Sequence, residues 1–206
     1  MKYKLANETK DYLGHTLHRI QYESGELGGW IEKEENLSQD GDARVDGNAM
    51  VYGNALVTGN ALVTGNARVT GNARVTGSAW VYDNARVDDN AIVYGSARVT
   101  GNAWVYDNAR VDDNAIVTGN AIVNGNAIVT GNARVDSNAD WMVVGPIGSR
   151  DGYTTIFRSK EGLSVVCGCF FGTLNEFAEK VEQTHGDNQH GREYKAMIEL
   201  VKVRMG

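Results

Sequence analysis

The sequence predicts a mainly β protein built as a parallel solenoid, with a short head before it and a small α+β domain after it. Three observations predict it. Alanine occupies every sixth position from Ala43 to Ala139, and valine follows two residues later from Val45 to Val135. Residues two apart in an extended strand share a face, so each unit offers one small aliphatic side and one variable side. Gly-Asn or a close variant precedes nearly every alanine, and both residues tolerate the left-handed backbone of a tight corner. A strand this short cannot bury its apolar face alone, so the units must wind and stack.

The composition sets the outer bounds. In 206 residues there is room for the rod and one small domain or two caps, and 25 glycines with a single proline suit an array of corners. A formal charge of −6 argues against duplex nucleic-acid binding, and between Arg44 and Arg134 every basic residue is an arginine on the outward position. The aspartates alternate too closely with arginine to favour mimicry of DNA. No apolar run is long enough for a membrane, MKYKLANETK lacks a signal-peptide pattern, and two cysteines suit a reducing setting, so a cytoplasmic location is expected.

The head, residues 1–30, is expected to cap the rod, because an open coil exposes unpaired backbone and apolar interior. Thr16 to Tyr22, TLHRIQY, alternates as a strand, and GELGGW reads as a loop into the first coil. In the rod most units read GNAxVT, with variants such as DNARVD and GSAWVY. VTGNAR, an aliphatic residue with alanine four positions on, resembles the hexapeptide repeat of left-handed β-helix proteins. That resemblance implies three hexapeptides per triangular coil and a left-handed parallel crossover, against the usual rule. Counting back in register puts Leu37 and Ile31 in alanine slots, giving a helix over residues 31–139 of about six coils. At about 4.8 Å per coil the rod is roughly 30 Å long. With its neighbours, GELGGWIEKEENLSQDGDARVDGNA also resembles the lead-in segment of bacteriophage and prophage proteins in which a GGW-containing head precedes a GNA-type array. This likeness spans head, rod and tail; it implies a viral origin and brings no defined activity.

The outward positions carry the functional information. They are arginine or large apolar residues throughout, and Ile116, Ile122 and Ile128 form a collar over one coil just before the tail. Such a ring left in water is unfavourable. Either the tail folds back on it or other subunits cover it, with a homotrimer expected from the β-helix resemblance; β-branched residues also suit strands anywhere. Trp80, Tyr82 and Arg98 are expected on one face, and Arg86, Trp104 and Tyr106 on the next, where guanidinium and rings suit a phosphorylated aromatic ligand. The alternative is a plain diversified surface. Residues 79–93 repeat as 103–117, an offset of 24 that places the copies on different faces and points to duplication.

The tail, residues 140–206, reads as a strand at Trp141–Val144, a loop GPIGSRDG, and a hairpin of YTTIFR and LSVVCGCF. Thr173 and Glu176 form a capping box for a helix with Leu174, Phe177, Ala178 and Val181 on one face and Gly186 at its end. A second helix spaces Tyr194, Met197, Ile198, Val201 and Met205 for core or interface. Cys167 and Cys169 are expected on one buried strand face. A zinc site with His185 and His190 is disfavoured by the CxC spacing. Ser149 and Arg150, followed by Tyr153 and Thr154, form a loop suited to an anion, with an ordinary turn as the alternative.

Hexapeptide acyltransferases use a histidine base, and related carbonic anhydrases hold zinc with histidines. Ala43–Ala139 contains no histidine; His15, His18, His185 and His190 all lie outside it. The expectation is therefore a protein without catalytic residues, cofactor or metal. It binds a small phosphorylated or nucleotide-like host signal, as a counter-defence protein would. The rival is a structural spacer whose tail docks a host or virion protein, with an acyltransferase-like enzyme disfavoured third.

Overall fold

The computed structural model describes residues 1–206. After a hairpin, β1 (Tyr3–Tyr12) and β2 (His15–Tyr22), and a strand β3 (Leu27–Ile31), the chain makes sixteen two-residue strands, β4 (Arg44–Val45) through β19 (Arg134–Val135). Each pairs in parallel with the strand three units away, as Trp80 does with Arg98 and Arg86 with Trp104. The result is a parallel β-solenoid of about six turns with three flat faces. Every alanine from Ala43 to Ala133 and every valine from Val45 to Val135 is at most 2% exposed, so the interior is a column of alternating small and branched aliphatics.

The corners explain the Gly-Asn signature. Gly101 sits at φ 66°, and a Cβ there would meet the Gly119 amide nitrogen at 3.0 Å. Asp83, Asp89, Asp107 and Asp113 take the same conformation without being glycine. Asp83 illustrates the compensation: its carboxylate accepts from the Thr100 hydroxyl at 2.5 Å and from the Gly101 amide at 3.2 Å, one coil on. The corner asparagines bond side chain to side chain from Asn48 through Asn66, Asn84 and Asn102 to Asn120.

Two expectations for the first coil are corrected. Ile31 pairs with Val51 and Leu37 with Val57, so both occupy valine slots, not alanine slots. The step is 51 − 31 = 20 residues, and the two extra residues lie between Leu37 and Val45. An even insertion keeps each side chain on its face, and the larger slot suits the larger residues. Gly29 takes the alanine slot, where a Cβ would meet the Ala49 carbonyl at 2.8 Å. GELGGW is accordingly not a loop: Leu27 to Trp30 are in β3, and the glycines there permit close packing rather than a turn.

Both ends are sealed by side chains that imitate a further coil. In later coils the alanine and valine carbonyls accept amides of the preceding coil, as in Arg44 N to Ala61 O at 2.9 Å. The first coil has no predecessor. There Lys2 Nζ donates to Ala43 O at 2.8 Å, Tyr3 Oη to Leu37 O at 2.7 Å, and Tyr22 Oη both donates to Val45 O and accepts from Val45 N, each at 3.0 Å. At the far end the amides lack acceptors, and Asn138 Oδ1 takes Ile122 N at 2.7 Å while Thr155 Oγ1 takes Ile128 N at 3.0 Å.

The tail is a four-stranded antiparallel sheet, β20 (Trp141–Ile147), β21 (Gly152–Ser159), β22 (Gly162–Cys167) and β23 (Phe170–Thr173), followed by α1 (Leu174–His185) and α2 (Gln189–Met205). Strand alternation divides its loyalties. Phe157 and Val166 join the rod core, while Ile156 and Val165 join Phe177, Val181 and Val201 beneath the helices. The sheet is thus a plug on the rod and a floor for the helices. The Thr173–Glu176 capping box forms as expected. GPI continues β20 instead of opening a loop, and LSVVCGCF is broken at Gly168, φ 59°, so Cys169 lies exposed in a turn and not beside Cys167 on one buried face. The isoleucine collar is half-buried, with Ile128 packed against the core where the tail closes the rod.

Candidate functional site

The expected ligand residues fall in three separate places. On one rod face Trp80 is 44% exposed, with Tyr82 edge-on at 6.4 Å and the Arg98 guanidinium 5.3 Å from its ring. On the next, Arg86 lies 5.9 Å from the Trp104 ring and Trp104 lies 4.6 Å from Tyr106. These are the groupings anticipated from the repeat, and the duplicated segments do lie on different faces. The rings of the second cluster have polar partners within the rod: Trp104 Nε1 donates to Asp88 Oδ2 at 2.8 Å and Asn124 Nδ2 donates to Tyr106 Oη at 2.6 Å.

The third place is a cleft of about 250 Å³ in the tail, between the 148–151 turn, the β22–β23 turn and α1. Ser149, Arg150 and Tyr153 line it. Thr154 does not. It is 1% exposed and its Oγ1 donates to Cys167 Sγ at 3.2 Å, buried on the helix-facing side of the sheet that it shares with Ile156.

The turn is held in place by its backbone. The Gly148 amide donates to Glu193 Oε2 at 2.9 Å, and that bond is the main reason the Glu193 carboxyl titrates below its ordinary range. Gly148 has φ 75°, and a Cβ there would collide with the Tyr194 ring, so glycine alone lets the turn rest on that tyrosine. Tyr194 forms the floor, its ring edge-on to Phe177 at 5.5 Å and 5.7 Å from His185. Burial, with the Cys167 thiol beside it at 3.7 Å, pushes its phenol up to about 12 from an ordinary 10.0.

Lys180, Thr184 and His185 complete the lining from α1. Sequence reasoning met His185 only as a disfavoured zinc ligand and did not single out Lys180 and Thr184, which sit at the polar margin of an ordinary amphipathic helix; the only signal is their i, i+4 spacing beside Val181. Arg150 and Lys180 are exposed and make neither a hydrogen bond nor a salt bridge. The cleft therefore brings two unpaired cations and a histidine together with three aromatic rings. Such a set can hold an anionic group while a ring of the ligand stacks. Cys167, Cys169, His185 and His190 do not form a metal-ligand group.

A family model described as the YdcK Beta solenoid repeat matches residues 49–65, 67–83 and 79–95. The first two matches start 67 − 49 = 18 residues apart, one full coil of the observed ladder. No curated protein matches the chain. No helix is long and apolar enough to cross a membrane. Repeat, match and ladder agree that the chain is a repeat β-solenoid protein.

Proposed function

We propose that this is a non-enzymatic binding protein of bacteriophage type that captures a small phosphorylated or nucleotide-like host signal in the C-terminal cleft. It acts in the host cytoplasm as a homo-oligomer, with a trimer through the Ile116, Ile122 and Ile128 collar as the first arrangement to test. The observation that carries the reading is the pairing of unengaged Arg150 and Lys180 with the Tyr153, Phe177 and Tyr194 rings around one cavity. The absence of histidine from residues 31–139 supports binding over hexapeptide acyl transfer.

Native mass spectrometry of the full chain, before and after exposure to a lysate of infected or defence-activated host cells, reads oligomer and cargo together. The expected result is a defined oligomer that gains a stoichiometric small-molecule mass, lost in Arg150→Gln/Lys180→Gln. A gained mass that this double variant retains would remove the cleft. Retention of a host protein instead would favour a second reading, a spacer whose tail docks a protein, for which the sheet that seals the rod end is the motivating feature.

A further inference from the structure

Along the outward ladders, arginine is flanked by apolar residues in every pairing but one. Arg44 pairs with Leu62, Arg74 with Leu56 and Ile92, Arg98 with Trp80 and Ile116, Arg110 with Ile92 and Ile128, and Arg134 with Ile116. Arg68 and Arg86, by contrast, are direct neighbours on successive coils. Strands in a ladder lie about 4.8 Å apart, and like charges directly opposed there are destabilising. Everywhere else in the ladders arginines are kept apart, which makes this exception informative.

Neither guanidinium makes a salt bridge. Arg68 donates to the Tyr12 hydroxyl, which carries no charge, and Arg86 lies over the Trp104 ring. Arg110, Arg44 and Arg134 each hold the aspartate two residues on, as in Arg110 Nε to Asp112 Oδ2 at 2.9 Å. Arg68 has Thr70 at that position, and Asp88, two after Arg86, accepts at Oδ2 from the Trp104 indole N–H at 2.8 Å.

The hairpin turns this stretch into a groove. Tyr12 meets Tyr52 edge-on at 6.0 Å and His15 packs on Tyr52 at 4.9 Å, which brings the β1–β2 turn beside the rod. Leu13, 76% exposed at that turn, faces Tyr52, Arg68, Thr70, Arg86 and Asp88 across a groove of about 180 Å³. We propose that this groove is an oxyanion site for a phosphate group. Arg68 and Arg86 grip it from two successive coils, and the Thr70 hydroxyl serves as a third donor. Asp88 at the rim repels a second anionic group, which selects a lone phosphate over a polyphosphate chain. The site is independent of the C-terminal cleft and rests on different residues.

Calorimetric titration of the full chain with inorganic phosphate and with AMP, at ionic strength matched by chloride, tests it. Both are expected to bind the wild type; the tighter of the two tells whether the site takes free phosphate or a phosphate ester. In the Arg150→Gln/Lys180→Gln background, where the C-terminal cleft is disarmed, this binding should persist, and adding Arg68→Gln or Arg86→Gln should each weaken it about tenfold or more. Arg86→Leu restores the pattern found elsewhere in the ladders. It should melt no lower than the wild type in chloride and lose the rise in Tm that phosphate gives the wild type. Binding that is unchanged in both Gln variants, or a wild type that takes up neither ligand at millimolar concentration, overturns the proposal.

Discussion

Replacing Tyr22 by phenylalanine tests how the solenoid is closed. Its hydroxyl is the only group that meets the Val45 carbonyl and amide at the open edge of the first coil, at 3.0 Å for each bond, and both residues are buried. The substitution keeps the ring against Tyr3 and removes one oxygen. A buried polar group left unpaired costs about 1–3 kcal/mol, so leaving both Val45 groups unpaired predicts roughly 2–6 kcal/mol of destabilisation. The assay is urea unfolding followed by circular dichroism, with hydrogen exchange at the Val45 amide as the local readout. Repeat arrays open from their ends, so exchange should accelerate at Val45 before the central coils respond. Tyr12→Phe is the control, because that hydroxyl meets a half-exposed arginine and no backbone group. A Tyr22→Phe chain that unfolds within about 0.5 kcal/mol of the wild type with unchanged Val45 exchange refutes the edge-capping argument.

Two further predictions follow from the same structure. Burial holds the Tyr3 phenol at about 12, against an ordinary 10.0, and burial also raises Tyr22. Between pH 10 and 12 the unfolded chain therefore releases protons that the folded chain retains; stability is fully present below pH 10 and is lost as pH rises toward 12. Alkaline unfolding curves should flatten in Tyr3→Phe relative to the wild type, and equal slopes would contradict the cap as the alkaline weak point. At Asp113, φ 53°, the carboxylate accepts from Thr130 Oγ1 at 2.8 Å and from Gly131 N at 3.3 Å. Asp113→Ala should cost about 1–3 kcal/mol and Asp113→Gly less, since only alanine adds a left-handed penalty; thermal melts that rank alanine equal to or above glycine would count against that account.

Much of the molecule was legible because its physics is local and repeated. A six-residue period of alanine and valine admits one solution, an inward aliphatic column with outward residues between, and the rod faces carry Arg98 with Trp80 and Arg86 with Trp104 where the period puts them. The capping box and helix faces of the tail were legible for the same reason, since each depends on spacing within one element. The first coil was misread by two residues, because an insertion that preserves strand alternation leaves no trace in the alternation itself. GELGGW was misread because glycine at a close approach and glycine at a corner are the same letter.

The candidate sites required the tertiary structure. The turn of Gly148, Ser149 and Arg150 before Tyr153 was visible, but Lys180 and His185, which line the same cleft, come from a helix about thirty residues on, brought near by the packing of α1 on the sheet. The Arg68–Arg86 groove needs a hairpin turn from the head to fold against the third and fourth coils. The sequence by itself determined the repeat, its inward column and the elements of the tail, because hydrophobic periodicity and turn chemistry act over a few residues. Only the tertiary structure decided which side chains seal the coil ends and which cations share a cavity, because those contacts join residues that no local period relates.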